Sequence, residues 1–122
     1  MNNRLPGVER PLAFDESLAE RIRHALARKK GIEEKKMFGG IFFMKNGHML
    51  VGVWKRSLIA QVGGKQGEDA LLEPHVRQCD IPRRVIKGWV LVAPEGVKDD
   101  EQLSVWIQRA AKFVGKLPAK EK

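Results

Sequence analysis

The sequence predicts an α+β fold of two layers, in which helices pack on one antiparallel sheet of about four to five strands. Apolar residues at three- and four-residue steps predict a helix near each end of the chain. Between these helices, β-prone runs are joined by Asn46–Gly47, and Gly-Gly and Pro residues separate the later elements. The predicted order is α-β-β-β-α-β-α.

The first helix is predicted from Asp15 to Lys30. The side chain of Asp15 can accept hydrogen bonds from the free amides of the first turn. Leu18 and Ile22 begin an apolar stripe at helical spacing. Gly31 follows the basic end of this segment, and we expect it to cap the helix in a left-handed conformation.

Three consecutive strands are predicted next, at Met37 to Met44, Met49 to Trp54 and Leu58 to Val62. Asn-Gly between two β-prone runs is a strong hairpin signal, because both residues tolerate the positive φ angles of a type I′ turn. Asn46–Gly47 therefore predicts an antiparallel pair. Gly39–Gly40 falls inside the first predicted strand and indicates a bulge or a close backbone approach.

The second half of the chain predicts a short helix, a fourth strand and a last helix. The short helix spans Gln66 to Glu73, and the segment from His75 to Arg84 is predicted as a loop. The strand spans Ile86 to Ala93 and places alternate residues on opposite faces. Asp99 or Asp100 is expected to cap the last helix, whose apolar side faces the sheet.

The chain of 122 residues predicts one domain at 14–118, with a flexible arm at 1–13 and a basic tail at 119–122. The single cysteine, Cys79, cannot form an internal disulfide, which favours a reducing compartment. No segment approaches the roughly 18 consecutive apolar residues that a membrane helix needs. We therefore expect a cytoplasmic protein that does not enter a membrane.

The net charge of +8 is the unusual bulk property. A surplus of this size attracts phosphate backbones and other anionic surfaces, and it also keeps proteins soluble. Several basic residues cluster in sequence and are candidate contacts for nucleic acid or a protein partner if they share one surface: Lys35, Lys36, Lys55, Arg56, Arg83, Arg84 and Lys87. A solvated rim is the alternative interpretation.

No pattern in the sequence indicates an enzyme, a cofactor site or a metal centre. His75, Cys79 and Asp80 have ligand-type side chains, but a zinc site requires three or four convergent ligands. Cys79 would be reactive only if neighbouring arginines lowered its pKa, and a lone cysteine is more often a small core residue. We therefore predict a non-enzymatic protein without catalytic, cofactor-binding or metal-binding residues.

Several predicted strands are apolar on both faces. One face should receive the two long helices, and the other face needs a further cover. A second copy of the chain is the simplest candidate, because two-fold homodimers are the commonest oligomers. The sequence thus predicts a homodimer formed through the second face of the sheet.

Three short strings carry a resemblance to a known family. They are Lys35–Lys36–Met37–Phe38–Gly39–Gly40, Asn46–Gly47 and Lys87–Gly88–Trp89–Val90. Together with the first and last helices, they resemble the TfoX/Sxy N-terminal domain family from about Phe14 to Pro118. The structural centre of the motif comprises Phe38, Gly39, Gly40, Asn46, Gly47, Gly88 and Trp89. The resemblance implies a two-layer α/β fold. Full-length competence regulators carry a second, C-terminal domain, whereas we expect this chain, which stops at Lys122, to be a stand-alone N-terminal domain.

The resemblance also implies a link to regulators of DNA-uptake competence, which act as transcriptional co-activators. The first functional hypothesis is accordingly a regulatory module that contacts a protein partner such as a transcription complex. The second is weak, sequence-independent nucleic-acid binding through a basic patch, and the third is a domain that binds a small molecule or an anion. The resemblance implies no catalytic residues.

Overall fold

The computed structural model describes residues 14–81 and 85–118. The predicted arm at 1–13 and tail at 119–122 lie outside the described residues. Within the described residues, six strands form one antiparallel sheet, accompanied by three α-helices and a 3₁₀ turn at Pro94–Val97. The elements in chain order are α1 Glu16–Ala25, β1 Ile32–Met37, β2 Gly40–Lys45, β3 His48–Trp54, β4 Ser57–Gln61, α2 Gly64–Ala70, β5 Val76–Gln78, β6 Trp89–Val92 and α3 Asp100–Val114.

The α+β class and the order of the predicted elements are confirmed, but the sheet has six strands rather than four to five. Its strand order is β1-β2-β3-β4-β6-β5, and every neighbouring pair is antiparallel. The two strands that the sequence did not predict, β1 and β5, lie at the two edges. β1 contains four consecutive charged residues, and β5 has only three residues, so neither shows the apolar alternation of a half-buried strand.

The first helix begins where the sequence predicts and ends earlier. The Asp15 carboxylate accepts hydrogen bonds from the amides of Ser17 and Leu18, at 2.9 and 3.3 Å. The helix ends at Ala25, so its predicted extension to residue 30 is wrong. Gly31 does adopt a positive φ of 78°, but it lies beyond the helix and leads into β1 instead of capping.

Two type I′ turns form the first two hairpins. Asn46 and Gly47 join β2 to β3 with φ angles of 52° and 86°, as predicted. Phe38 and Gly39 join β1 to β2 with φ angles of 55° and 78°. Of the two alternatives for Gly39–Gly40, the bulge is wrong, because this segment is a turn that separates Met37, the last residue of β1, from β2, which holds most of the predicted first strand. The close backbone approach is confirmed at Gly40, where a Cβ atom would collide with the carbonyl oxygen of Val53.

An irregularity does occur later in the sheet, where the pairing of β2 with β3 shifts register after Phe43. As a result, Leu50 and Val51 are successive in sequence, yet both belong to the apolar cluster beneath the helices. Met49 belongs to the cluster on the opposite face. The bulge of β3 thus gives the helix-bearing face one additional apolar side chain.

The helices cover one face of the sheet. Leu18 and Ile22 of α1 and Trp106 and Ile107 of α3 pack with the sheet in one buried cluster, to which Ala70 of α2 also belongs. This arrangement removes the apolar stripes of both long helices from water, which is the main source of stability for a domain of this size.

The second face of the sheet is buried within the chain. Phe42, Ile59 and Leu91 are each exposed by 1% or less, and they pack with Cys79 and Ile81. The sequence-based reason for a homodimer was that this apolar face needed a cover from outside. The burial of these side chains removes that reason.

The junction between β4, α2 and β6 depends on Gly88. Its carbonyl oxygen accepts hydrogen bonds from the amides of Val62 and Gly63, at 2.8 and 3.1 Å. Gly88 has a φ of 88°, and a Cβ atom there would lie only 3.0 Å from the carbonyl carbon of Gly63. Residue 88 must therefore be glycine for the backbones to approach this closely. Trp89 follows as the first residue of β6.

Candidate interaction surface

The hairpin turns alternate between the two ends of the sheet, because consecutive strands are antiparallel. The β1–β2 turn, which holds Phe38, and the Lys55–Arg56 turn between β3 and β4 therefore lie at the same end of the sheet. Lys35 and Lys36 lie in the half of β1 next to this end. We call the following residues the hairpin-end surface: Lys35, Lys36, Phe38, Trp54, Lys55 and Arg56.

Phe38 is the exposed tip of the β1–β2 hairpin. Its side chain is 54% exposed, and its ring stands edge-on to that of Phe42, with centroids 6.3 Å apart and an interplanar angle of 86°. The φ of 55° is costly for a bulky residue, whereas asparagine adopts it readily, as Asn46 does in the β2–β3 turn. Phe38 is thus both strained and exposed. The type I′ turn requires the positive φ at residue 38, but it does not require a bulky aromatic side chain there.

Trp54 and Lys55 extend the same surface. The Nζ atom of Lys55 lies 4.5 Å from the centroid of the Trp54 ring, within the range of a cation–π contact. The Trp54 ring is half-buried against the second apolar cluster. Aromatic area and positive charge therefore lie together at the hairpin end.

The register of the sheet places the two basic residues of β1 on opposite faces of the sheet. Lys35 pairs with Phe42 and shares the face of the second cluster, whereas Lys36 pairs with Ile41 on the helix-bearing face. Four of the predicted contact residues, including Lys55 and Arg56, thus surround the hairpin end.

The remaining predicted contact residues do not join this group. Lys87 precedes β6 at the opposite end of the sheet, where it packs beside Gly64 and lines a cavity of about 220 Å³. Arg83 and Arg84 lie outside the described residues. The predicted contact residues that the structure describes are consequently divided between the two ends of the sheet and do not form one patch.

The candidate ligand residues of the second half do not converge. Cys79 is fully buried, and this burial raises the pKa of its thiol, so the sulfur stays protonated and unreactive at neutral pH. His75 and Asp80 are exposed. Across residues 14–81 and 85–118, no group of three or more His, Cys, Asp and Glu side chains is placed to hold a metal ion.

Sequence reasoning missed the exposed position of Phe38, because it placed this residue inside a strand. The available signal was Gly39 directly after it, but phenylalanine is not a turn-forming residue and concealed the two-residue loop. In the part of the chain that the structure describes, no helix has both the length and the apolar character that crossing a membrane demands.

The sequence model of the TfoX N-terminal domain family matches residues 24–114, which is most of the chain. The protein belongs to the TfoX N-terminal domain family. A comparison with curated proteins finds no match.

In this TfoX N-terminal domain, the residues that carried the resemblance have structural roles at both ends of the sheet. Gly39 forms a turn, and Gly40 opens β2, where a Cβ atom would collide with the carbonyl oxygen of Val53. Asn46–Gly47 and Gly88 sit at the opposite end. Phe38 differs from these residues because its side chain is largely exposed, and the packing of the domain does not explain that exposure.

Proposed function

We propose that this TfoX N-terminal domain is a non-enzymatic regulatory module that binds a protein partner through the hairpin-end surface. The single observation that carries the proposal is Phe38, an exposed aromatic residue in a strained backbone conformation. Strain of this kind persists where function retains it against a more stable alternative. A role in the regulation of transcription or competence is supported by family membership.

The chemistry of the surface defines the kind of partner. Binding energy at protein interfaces concentrates in a few aromatic and basic residues that enter pockets of the partner. Phe38 supplies an aromatic anchor, and Lys35, Lys36, Lys55 and Arg56 supply a basic surrounding. A partner with an apolar pocket and an acidic rim would match both features, and the positive charge would accelerate its association.

Replacing Phe38 by Asn tests the proposal. Asparagine recreates the Asn-Gly turn of the β2–β3 hairpin, which relieves strain of about 1 kcal/mol. It also removes the edge contact with Phe42, which is worth a similar amount, about 1 kcal/mol. We expect the free energy of unfolding to change by less than about 1 kcal/mol, while capture of the partner from nuclease-treated cell extract is lost.

The matched control is Leu72→Asn, because Leu72 is 87% exposed and lies outside the hairpin-end surface. The control variant should capture the same partner as the unmodified protein. Equal capture by the Phe38→Asn variant would contradict the proposal, and so would the absence of any captured protein.

Nucleic acid is the second candidate ligand, and the location of four basic residues at the same end of the sheet as an exposed aromatic ring favours it. Phosphate contacts would make affinity fall steeply with salt. Base stacking on Phe38 would favour single strands over duplexes. Fluorescence anisotropy with labelled single-stranded and duplex DNA over a range of salt separates this candidate from the first, since salt-insensitive or undetectable binding would exclude it.

A further inference from the structure

The edge strand β1 presents an unusual charge pattern to solvent. Its sequence is Ile32-Glu33-Glu34-Lys35-Lys36-Met37, and all four charged residues are exposed. One edge of β1 pairs with β2. In the part of the chain that the structure describes, no strand pairs with the other edge, so the backbone amides and carbonyls directed to that edge have no strand partner there.

Charged side chains on an edge strand usually prevent association with other strands. Here, however, two acidic residues precede two basic residues, so the strand is complementary to itself when it runs antiparallel. When two copies of β1 are related by a two-fold axis, the acidic half of each copy lies against the basic half of the other. A strand of uniform charge or of apolar sequence could not place an opposite charge against both halves of β1. The pattern therefore excludes most strands but admits the same strand from another molecule.

Strand geometry restricts the registers in which two copies can pair. A two-fold axis perpendicular to the sheet keeps the helix-bearing face of both copies on the same side, so only residues of the same face can lie opposite each other. Ile32, Glu34 and Lys36 share one face, and Glu33 and Lys35 share the other. The axis must consequently pass through a residue rather than between two residues.

Two registers retain a long overlap within β1. With the axis at Glu34, Glu33 of each copy lies opposite Lys35 of the other, and Ile32 lies opposite Lys36. With the axis at Lys35, Glu34 of each copy lies opposite Lys36 of the other, but the two Lys35 side chains face each other directly. Like charges directly opposite each other destabilise a strand pair.

The Glu34 axis places the two Glu34 carboxylates opposite each other, but their repulsion is compensated because Glu34 already has a cationic partner in its own chain. Nε and Nη2 of Arg23 donate hydrogen bonds to the Glu34 carboxylate at 2.8 and 3.1 Å. Glu34, followed by Glu16, raises the pKa of the Arg23 guanidinium above its ordinary value, so its positive charge persists at every pH of interest. Among the described residues, Lys35 has no carboxylate within 4.0 Å to compensate it in this way.

We infer that the protein forms a two-fold homodimer in which the β1 strands of two copies pair antiparallel about Glu34, with Glu33 of each copy opposite Lys35 of the other. The two six-stranded sheets then become one continuous sheet. The inference does not rest on the proposed function, although Lys35 and Lys36 belong both to the hairpin-end surface and to the paired part of β1. Phe38, which carries the proposed function, lies beyond the paired residues. It also differs from the dimer predicted from the sequence, which used the face of the sheet and not its edge.

Charge reversal tests this interface. Sedimentation velocity at protein concentrations from about 10 µM to about 1 mM, in salt near 0.15 M that screens the net charge, should show a monomer–dimer equilibrium. Glu33→Lys and Lys35→Glu each replace two attractive pairs by two repulsive ones and should weaken dimerisation about tenfold or more. Both side chains are exposed, so circular dichroism should show an unchanged fold.

Restoration of the charge pairing provides the decisive result. The double variant Glu33→Lys/Lys35→Glu exchanges the two charges and should dimerise again as the unmodified protein does. An equimolar mixture of the two single variants should form a heterodimer, because one copy then carries two lysines and the other two glutamates at these positions.

Lys36→Glu is the matched control, because it makes the same change in net charge as Lys35→Glu in the same strand. In the Glu34 register it lies opposite Ile32 and should alter dimerisation far less than Lys35→Glu does. A protein that sediments as a monomer up to about 1 mM would overturn the inference. Failure of the double variant or of the mixture to restore the dimer would overturn it equally.

Discussion

At the scale of single residues, Gly52 and Phe42 show how a glycine in a strand supports an aromatic ring on the neighbouring strand. The two residues are cross-strand partners in β3 and β2. A Cβ atom at residue 52 would lie 2.5 Å from Cδ1 of Phe42 and 3.0 Å from the carbonyl oxygen of Ile41. The ring thus occupies the space above the glycine, and it is almost fully buried there.

Gly52→Ala should therefore destabilise the protein by about 1–3 kcal/mol, the usual cost of overpacking a buried site. Urea unfolding followed by circular dichroism measures this loss as a lower midpoint with an unchanged slope. Gly64→Ala is the control, because its new methyl group would meet only the flexible side chain of Lys87 at 3.1 Å. Equal stability of the Gly52→Ala variant and the unmodified protein would show that the ring does not rest on Gly52.

Phe38 and Asn46 illustrate the limit of reasoning from residue type. Both occupy the first position of a type I′ turn, with φ angles of 55° and 52°. Only Asn46 could be recognised from the sequence, since asparagine is favoured there and phenylalanine is not. The exposed tip of the hairpin-end surface was therefore not predictable from local preferences.

At the scale of elements, the N-termini of the two long helices were predictable because their capping signals lie within one turn of chain, whereas the C-terminus of α1 was not. Asp99 forms a capping box with Gln102: its carboxylate accepts from the Gln102 amide at 2.8 Å, and its own amide donates to Oε1 of Gln102 at 3.1 Å. The sequence had left Asp99 and Asp100 as alternatives. The structure assigns the capping role to Asp99 and gives Asp100 an exposed ion pair with Arg21.

Asp99→Ala should lower the free energy of unfolding by about 1 kcal/mol, the typical cost of losing a helix cap. Asp100→Ala should cost only a few tenths of a kcal/mol, because an exposed ion pair contributes about that much. Thermal denaturation of both variants compares the two losses directly. A larger loss for the Asp100 variant would contradict the assignment of the cap.

The strands were predictable in proportion to their burial. Val90 and Val92 lie in the cluster below the helices and Leu91 lies in the other, as the alternation predicted for this strand. The edge strand β1 carries no such alternation, because its exposed side chains are not selected for burial. The same exposure makes β1 available to a second copy, so the element that sequence analysis missed is the one that carries the inferred dimer interface.

At the scale of the whole molecule, the thiol of the buried cysteine can react only when the protein unfolds. Cys79 directly follows β5 and is fully buried in the cluster on the second face, and burial raises the pKa of its thiol above the ordinary 9.0. The protonated form is therefore favoured in the folded state. The resulting contribution to stability is complete below the unfolded-state pKa and is lost as pH rises through the folded-state pKa.

We expect Cys79 to react with a thiol reagent at neutral pH only when denaturant unfolds the protein. Above about pH 9, ionisation of the thiol in the unfolded state should reduce the stability of the unmodified protein relative to a Cys79→Ala variant. Unfolding curves of both proteins between pH 7 and about pH 10 measure the difference. Rapid labelling of the native protein would show that the thiol is accessible.

The sequence by itself determined the fold class, the family and the signals that act over a few residues, including the Asp15 cap, the Asn46–Gly47 turn and the apolar stripes of both long helices. These features depend on neighbours in the chain, so their chemistry is visible in the order of residues. The tertiary structure alone decided that Phe38 stands exposed at the same end of the sheet as Lys55, that Lys87 lies at the opposite end and that β1 forms an edge. Strand order and register create these proximities, and neither is encoded in any single segment.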